Sequence, residues 1–244
     1  MSFSGGADAD TPLVRVPNRS LRNPDPPMSQ PLLPERFLFR FSVPCRYRDP
    51  LWTPEGAGLG EEYRLLNLAE LEGGAGPADV RAAWSEEGLA LTVRVHGKRQ
   101  TPWCRAGQPE DSDGLQVWID TRDVHNIHRA GRFCHRFVFL PAGAGRRLDE
   151  PAALWLPIHR AREQPRSIPA SALSVLSQKR IDGYLLDARI GAGALTGFEP
   201  AEHPRLGFTY AVLDRERGEQ TFGVGSPMPY QEDPSLWATL ELVR

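Results

Sequence analysis

The chain lacks the features that mark several large classes of protein. Its formal net charge at pH 7 is −2, so it has no excess of Lys and Arg that would attract nucleic acid or an anionic membrane. No apolar run approaches the roughly 18 residues that a membrane-spanning helix needs. The first ten residues contain no apolar stretch of the kind found in secretory signals. We therefore expect no nucleic-acid partner, no membrane partner and, by default, a cytoplasmic location.

Cysteine is scarce, and its three copies lie far apart, at Cys45, Cys104 and Cys134. An odd number at long spacings does not suit a disulfide framework, and no Cys-x-x-Cys pair indicates a zinc site. Catalytic signatures are also missing, because the sequence contains no Gly-x-Ser-x-Gly elbow, no phosphate-binding loop and no His-Glu-x-x-His. The sequence therefore predicts reduced cysteines in a protein that is not an enzyme.

Composition divides the chain into two parts. Residues 1–34 hold seven prolines among small and polar residues: Pro12, Pro17, Pro24, Pro26, Pro27, Pro31 and Pro34. Proline removes backbone donors, and the segment has few large apolar groups to stabilise a fold, so we predict a disordered tail. Residues 35–244 are predicted to form one domain, because 40% of the whole chain is hydrophobic and helical patterns are scarce.

Alternating apolar residues predict strands along this domain. Leu89, Leu91, Val93 and Val95 share one face of a run that follows another run, 80–84, after the polar turn 85–88, as in a β-hairpin. Further strand-like runs are 115–120, 133–140 (ended by Pro141), 184–190, 206–212 and 237–243. Many short strands with one helical turn near 192–195 predict an all-β, two-sheet antiparallel β-sandwich of the jelly-roll or immunoglobulin-like kind.

Several of these stretches, taken in order, resemble the family 9 carbohydrate-binding modules, which are related to DOMON-like domains, some of which bind haem. They are residues 80–91 (VRAAWSEEGLAL), Trp103 followed by 113–120 (DGLQVWID), 182–190 (DGYLLDARI), 206–214 and the closing 233–237 (DPSLW). The resemblance implies a non-catalytic module whose ligand is a carbohydrate and whose role is associated with carbohydrate catabolism.

The resemblance also implies where the sugar binds. An apolar patch of pyranose C–H groups stacks on an aromatic ring, while planar polar side chains bond to the hydroxyls. Trp103 corresponds to one of the two aromatic residues that enclose the sugar in the family's site, and Tyr230 corresponds to the opposing aromatic residue. His135 and Arg136 correspond to its polar partners. We therefore predict a cleft at the sandwich rim that contains these four residues.

Other functions remain open at this stage. Three of the six histidines fall between residues 125 and 135, so His125, His128 and His135 could bind a metal. A haem held by Met228 and a histidine is a further alternative, and so is a protein-interaction domain without a small ligand. No cofactor is required, although the turn Asp111–Gly114 begins like a calcium loop and family 9 modules bind structural calcium, so calcium stays a candidate.

Overall fold

The structure is a computed structural model that describes residues 40–66, 68, 76–166, 168–226 and 228–244. The predicted disordered segment, residues 1–34, lies outside these ranges. Its disorder therefore stays a prediction, as does the domain boundary that we placed after it.

Strands dominate the described part of the chain. They are β1 Ser42–Tyr47, β2 Ala78–Ser85, β3 Gly88–Val95, β4 Gly114–Asp120, β5 Cys134–Ala144, β6 Glu150–Leu156, β7 Leu173–Arg180, β8 Gly183–Gly191, β9 Arg205–Asp214, β10 Gly218–Thr221 and β11 Ala238–Val243. Helical structure in the described ranges consists of three-residue 3₁₀ turns at Glu61–Tyr63, Pro109–Asp111, Ala170–Ala172, Ala192–Ala194 and Pro234–Leu236. No described helix has the length and apolar character needed to cross a membrane. The predicted all-β class is confirmed.

All eleven strands belong to one hydrogen-bonded sheet, in the order β6-β5-β4-β9-β11-β1-β2-β3-β8-β7, with β10 paired to β9. The strand β1 runs parallel to both of its neighbours and joins the two halves of the sheet, although it meets β2 only at Arg46 and Tyr47. The outermost strands, β6 and β7, also contact each other, so the sheet is nearly closed into a barrel. The predicted division into two separate sheets is therefore not confirmed, because β1 bridges them.

The alternation in the sequence sets the core. Leu89, Leu91, Val93 and Val95 lie on the inner face of β3, as predicted, and pack with the apolar residues of β4, β5, β8 and β9. Burying one such Leu contributes about 2 kcal/mol to the stability of the fold. The strand β5 differs from the prediction, since it continues past Pro141 to Ala144 with a register shift against β6.

A second apolar layer covers the outer face of β4 and β9. Residues 224–226 and 228–237 cross this face, where Trp237 and Tyr230 pack beside Trp118. The indole Nε1 of Trp237 donates a hydrogen bond to the backbone oxygen of Tyr230 at 2.7 Å, which fixes the crossing segment. With this face covered, the loops at the two ends of the strands carry the partly exposed polar groups described below.

The antiparallel pairings sort the connections into two ends. One end, which we name the Trp103 end, holds the connections 96–113, 145–149, 181–182 and 215–217. The opposite end, the histidine end, holds the connections 121–133 and 192–204. Candidate residues from the sequence fall at both ends.

Candidate functional site

Trp103 lies in the connection between β3 and β4 and is partly exposed, so it sits at a rim of the fold. Its backbone N–H donates to the carboxylate Oδ2 of Asp113 at 3.1 Å, and its backbone oxygen accepts from the N–H of Asp113 at 2.9 Å. Because Asp113 directly precedes β4, these bonds tie the Trp103 backbone to the sheet. The ring is therefore presented from a fixed position.

Two guanidinium groups lie over the Trp103 ring. The Cζ of Arg215 is 3.4 Å from the ring centroid, and that of Arg105 is 5.4 Å away. Arg215 belongs to the connection between β9 and β10, and its backbone N–H donates to Asp113 Oδ1 at 2.8 Å. Cation–π attraction of this kind contributes about 0.5–1 kcal/mol at exposed sites. One face of the indole is thus covered by a side chain that is itself exposed.

A buried ion cluster supports this rim. The ammonium of Lys98 lies 3.2 Å from Asp113 Oδ2 and 2.5 Å from Asp214 Oδ2, and all three side chains are almost fully buried. Burial acts to lower the pKa of Lys98, but the two carboxylates outweigh it and the pKa is raised, so the ammonium stays charged. The cluster therefore connects the loop after β3 to the start of β4 and the end of β9.

The same cluster bears on the calcium prediction at Asp111–Gly114. Both oxygens of Asp113 already accept hydrogen bonds, from Arg215 N–H on one side and from Lys98 and Trp103 N–H on the other. Calcium at this turn stays a prediction, and it would have to use ligands other than Asp113.

Arg136 lies on the outer face of β5, where it connects with the loop that carries Trp103. Its Nη1 donates to Glu110 Oε1 at 2.6 Å and its Nη2 to Gln116 Oε1 at 2.7 Å, while its guanidinium stacks over Trp118. Arg136 is buried, but the side chain of Glu110 is 64% exposed. Glu110 is therefore the polar group here that a ligand in solution can reach, and Arg136 orients it.

The other two predicted sugar residues are buried. Tyr230 is 2% exposed, packs edge-on against Trp118, and donates its hydroxyl hydrogen to Glu219 Oε1 at 2.5 Å. His135 is 0% exposed because it pairs with Ile119 and so shares the core face of the sheet. Its Nε2 accepts a hydrogen bond from the Thr196 N–H, and burial lowers its pKa to about 4.

The structure thus places Trp103 and Glu110, the partner of Arg136, in the same connection between β3 and β4, and leaves Tyr230 and His135 away from solvent. The predicted cleft between all four residues is not formed, because alternation along β5 sends His135 inward and the crossing segment encloses Tyr230. Sequence reasoning missed Glu110 and Gln116. Gln116 could have been found, since it shares the outer face of β4 with Trp118, whereas Glu110 lies in an irregular turn without periodicity.

The three candidate metal-binding histidines lie in different surroundings. His125 Nε2 lies 2.8 Å from Asp123 Oδ1, His128 Nδ1 lies 3.1 Å from Asp233 Oδ2, and His135 is in the core. Among the described residues, one group has three potential metal ligands whose donor atoms all lie within 4.8 Å of one another. It consists of Glu199, Glu202 and His203. The structure does not bring the three histidines together, because His135 faces the core from β5 while His125 and His128 lie in the loop before it, and metal binding stays a prediction.

Ser235, His128 and Asp233 touch one another but do not form a hydrolase triad. Ser235 Oγ and Asp233 Oδ2 both lie 3.1 Å from the same ring atom, Nδ1 of His128. In a triad the carboxylate and the nucleophile bond to different ring nitrogens. Ser235 also donates to Asp233 Oδ1 at 2.6 Å, so its hydroxyl proton is not directed at a base.

Two cavities of similar volume lie at different places in the fold. One, of about 620 Å³, includes His125, His128 and Met228 in its wall together with apolar residues such as Phe41 and Trp237. The other, of about 600 Å³, lies at the Trp103 end and includes residues 98–102 and the β7–β8 hairpin in its wall.

Comparison with known proteins identifies the fold. No family model matches the chain, and no curated protein matches it. Solved structures do match, among them two of a carbohydrate binding module family 9 from Caldicellulosiruptor kristjanssonii, one in complex with cellotriose and one with glucose. Each match has a TM-score of 0.53 and covers 83% of this chain. The sequence identity is 11% for the cellotriose complex, of which 94% is covered, and 12% for the glucose complex, of which 95% is covered. The chain therefore has a fold like that of family 9 modules, and the relation to DOMON-like domains stays a prediction.

Proposed function

We propose that the protein is a non-catalytic carbohydrate-binding module whose sugar site is at the Trp103 end. The fold resembles modules that were solved with glucose and cellotriose bound. The observation that carries the placement is a partly exposed indole, fixed by two backbone bonds to Asp113, in the same connection between β3 and β4 as the exposed carboxylate of Glu110.

Binding at this place needs no covalent step. The C–H face of a pyranose ring stacks on Trp103, sugar hydroxyls donate to Glu110, and the guanidinium of Arg105 donates to hydroxyl oxygens. The bond from Arg136 holds the Glu110 carboxylate in place, so little side-chain freedom is lost when the sugar binds. Affinity for a single sugar is expected to be modest, because one aromatic platform offers few contacts.

The guanidinium of Arg215 now occupies the position that a stacked sugar would take on the ring. Its side chain is exposed, so moving it costs only the roughly 0.5–1 kcal/mol of an exposed cation–π contact. The sugar therefore displaces Arg215, which is then free to bond to a hydroxyl. Aromatic stacking by Trp103 is the part of the proposal that most needs a test.

The test is calorimetric titration of the full chain with glucose and cellotriose. Trp103→Ala should weaken binding by about tenfold or more, because a stacking contact of this kind is worth about 1–2 kcal/mol. Trp52→Ala is the matched control, since Trp52 is also partly exposed but packs with Leu51 and Leu59 away from the Trp103 end. Equal binding by wild type and Trp103→Ala, or no binding of either sugar by folded wild type, would contradict the proposal.

A second candidate is haem binding at the histidine end. One observation favours it: Met228, His125 and His128 line the same cavity of about 620 Å³, and methionine and histidine are axial ligands in cytochromes. Hemin titration that produces a Soret band in wild type but not in Met228→Ala would support it. A protein-interaction role without a small ligand stays a prediction.

A further inference from the structure

The cavity at the Trp103 end adjoins the proposed sugar site. Its volume is about 600 Å³, and its wall includes residues 98–102, which lead directly into Trp103. The opposite wall is the hairpin between β7 and β8, with Lys179, Arg180 and Ile181. A ligand longer than one sugar ring could therefore rest on Trp103 and extend into this space.

The cavity wall carries unpaired positive charge. Arg99, Lys179 and Arg180 are exposed, and within the described ranges none of them forms an ion pair. Arg180 donates to Gln178, a neutral partner. Asp149 is the carboxylate among the lining residues, so the charges that face the cavity are mainly cationic.

The buried cluster shapes the charge at the base of this cavity. Lys98 is part of the wall, whereas the carboxylates of Asp113 and Asp214, which hold its ammonium, are not among the lining residues. Glu216 is near but accepts the backbone N–H groups of Arg99 and Gln100. Asp113, Asp214 and Glu216 are therefore already engaged, and the charge of Arg99 also acts on Glu216. Lys179 and Arg180 have no ion pair within the described ranges.

A buried donor without an acceptor is a second, independent sign of a ligand. Tyr184 lines the cavity and is almost fully buried, yet its hydroxyl makes no hydrogen bond to any described residue. Burial, with the nearby acids, raises its pKa well above the usual value, so the hydroxyl keeps its proton and can donate. An unpaired buried hydroxyl is unfavourable, and a ligand oxygen that accepted its hydrogen bond would remove that penalty.

We propose that this cavity binds the carboxylate of an acidic sugar residue, a uronate, whose chain continues onto Trp103. Charge-assisted bonds from Lys179, Arg180 and Arg99 suit a carboxylate, and the Tyr184 hydroxyl supplies a neutral donor. The inference rests on the proposed sugar site, because Trp103 directly follows the lining residues 98–102 in the chain, and this adjacency is what favours a saccharide over another anion.

The test compares glucuronate, glucose and inorganic sulfate as ligands of the full chain, by calorimetry at low salt. Glucuronate should bind about tenfold more tightly than glucose, a preference that falls as salt rises because exposed charges are screened. Lys179→Gln with Arg180→Gln should remove the preference and leave glucose binding unchanged. Arg162→Gln is the matched control, since Arg162 is exposed and lies beside Ala130 at the histidine end.

Tyr184→Phe separates the hydroxyl from the packing of the ring. The variant keeps the buried ring in the core and removes only an unpaired hydroxyl, so the fold should be at least as stable as wild type. Glucuronate binding should weaken by about fivefold, which is the loss of one neutral hydrogen bond.

The outcomes distinguish this inference from the proposed function. If glucose binds through Trp103 but glucuronate binds no more tightly, or its preference survives in the double variant, the uronate inference fails and the sugar site stands. If sulfate binds as tightly as glucuronate, the cavity recognises charge alone and the saccharide assignment fails. If neither sugar binds, both proposals fail.

Discussion

The two ends of the fold use their polar residues in different ways. At the histidine end, ring nitrogens are held by carboxylates: His125 by Asp123 and His128 by Asp233. At the Trp103 end, the carboxylates Asp113 and Asp214 are enclosed with Lys98, and the cations around them stay free. A dense cluster of functional side chains in the sequence is therefore a weaker guide to a ligand site than the groups that the fold leaves without partners.

The difference has a simple electrostatic basis. A histidine nitrogen that is bonded to a carboxylate gains little from a further ligand, although Nδ1 of His125 makes no hydrogen bond to any described residue. An exposed Lys or Arg without an ion pair can neutralise an incoming anion without first giving up a partner. On this ground the Trp103 end is the more available of the two, although the histidine end has a cavity of similar volume.

The largest effect should come from the buried cluster that supports the Trp103 end. Lys98→Met would leave Asp113 and Asp214 buried without their counter-ion, which typically destabilises a protein by about 3–5 kcal/mol. Urea unfolding at neutral pH measures the free energy of unfolding. Lys179→Met, an exposed lysine on the same end, should change it by less than about 0.5 kcal/mol. A loss below about 1 kcal/mol for Lys98→Met would show that the rim does not depend on this cluster.

A smaller effect should come from the buried histidine. The pKa of His135 is about 4 in the folded protein against 6.5 for the free side chain, so the folded state favours the neutral ring. As the pH falls below about 6.5, the unfolded chain takes up the proton first. Stability is therefore full above that pH and should drop by about 3 kcal/mol as the pH approaches about 4.

The pH effect is isolated by comparing variants. His135→Gln keeps an acceptor for the Thr196 N–H but cannot titrate, so its unfolding free energy should fall less than that of wild type between pH 6.5 and pH 4. His159→Gln removes an exposed histidine paired with Glu232 and should leave the wild-type pH dependence nearly unchanged. Parallel curves for wild type and His135→Gln would mean that another group carries the acid sensitivity.

Regular alternation made much of the fold predictable. The hairpin of β2 and β3 and the strands β4, β8 and β9 follow the predicted runs closely, because one face of each is buried in a continuous core. The strands β1, β6, β7 and β10 were missed, and β6 and β7 share a physical reason. They lie at the two ends of the strand order and are only partly buried, so their sequences carry a weaker apolar pattern.

The site was less predictable, for a different reason. Trp103 is partly exposed in a connection between strands, but whether its ring is bare depends on side chains far away in the sequence, such as Arg215. The orientation of His135 follows from its register against Ile119, and a shift of one residue would exchange it with Arg136. Burial of Tyr230 depends on how residues 228–237 cross the sheet, which no local pattern specifies.

The smallest effect should come from the exposed histidine, and it is the change that could break the comparison. The side chain of His128 is 78% exposed, so its pair with Asp233 is screened by solvent, and Asp233 keeps its bonds from Ser235 when the ring is removed. His128→Ala should therefore change the free energy of unfolding by less than about 0.5 kcal/mol and leave glucose and glucuronate affinity unaltered. Calorimetry and urea unfolding check both expectations. If instead the variant lost sugar binding while it kept its stability, the ligand site would lie at the histidine end. The histidine cluster in the sequence would then indicate the ligand site better than unpaired charge does.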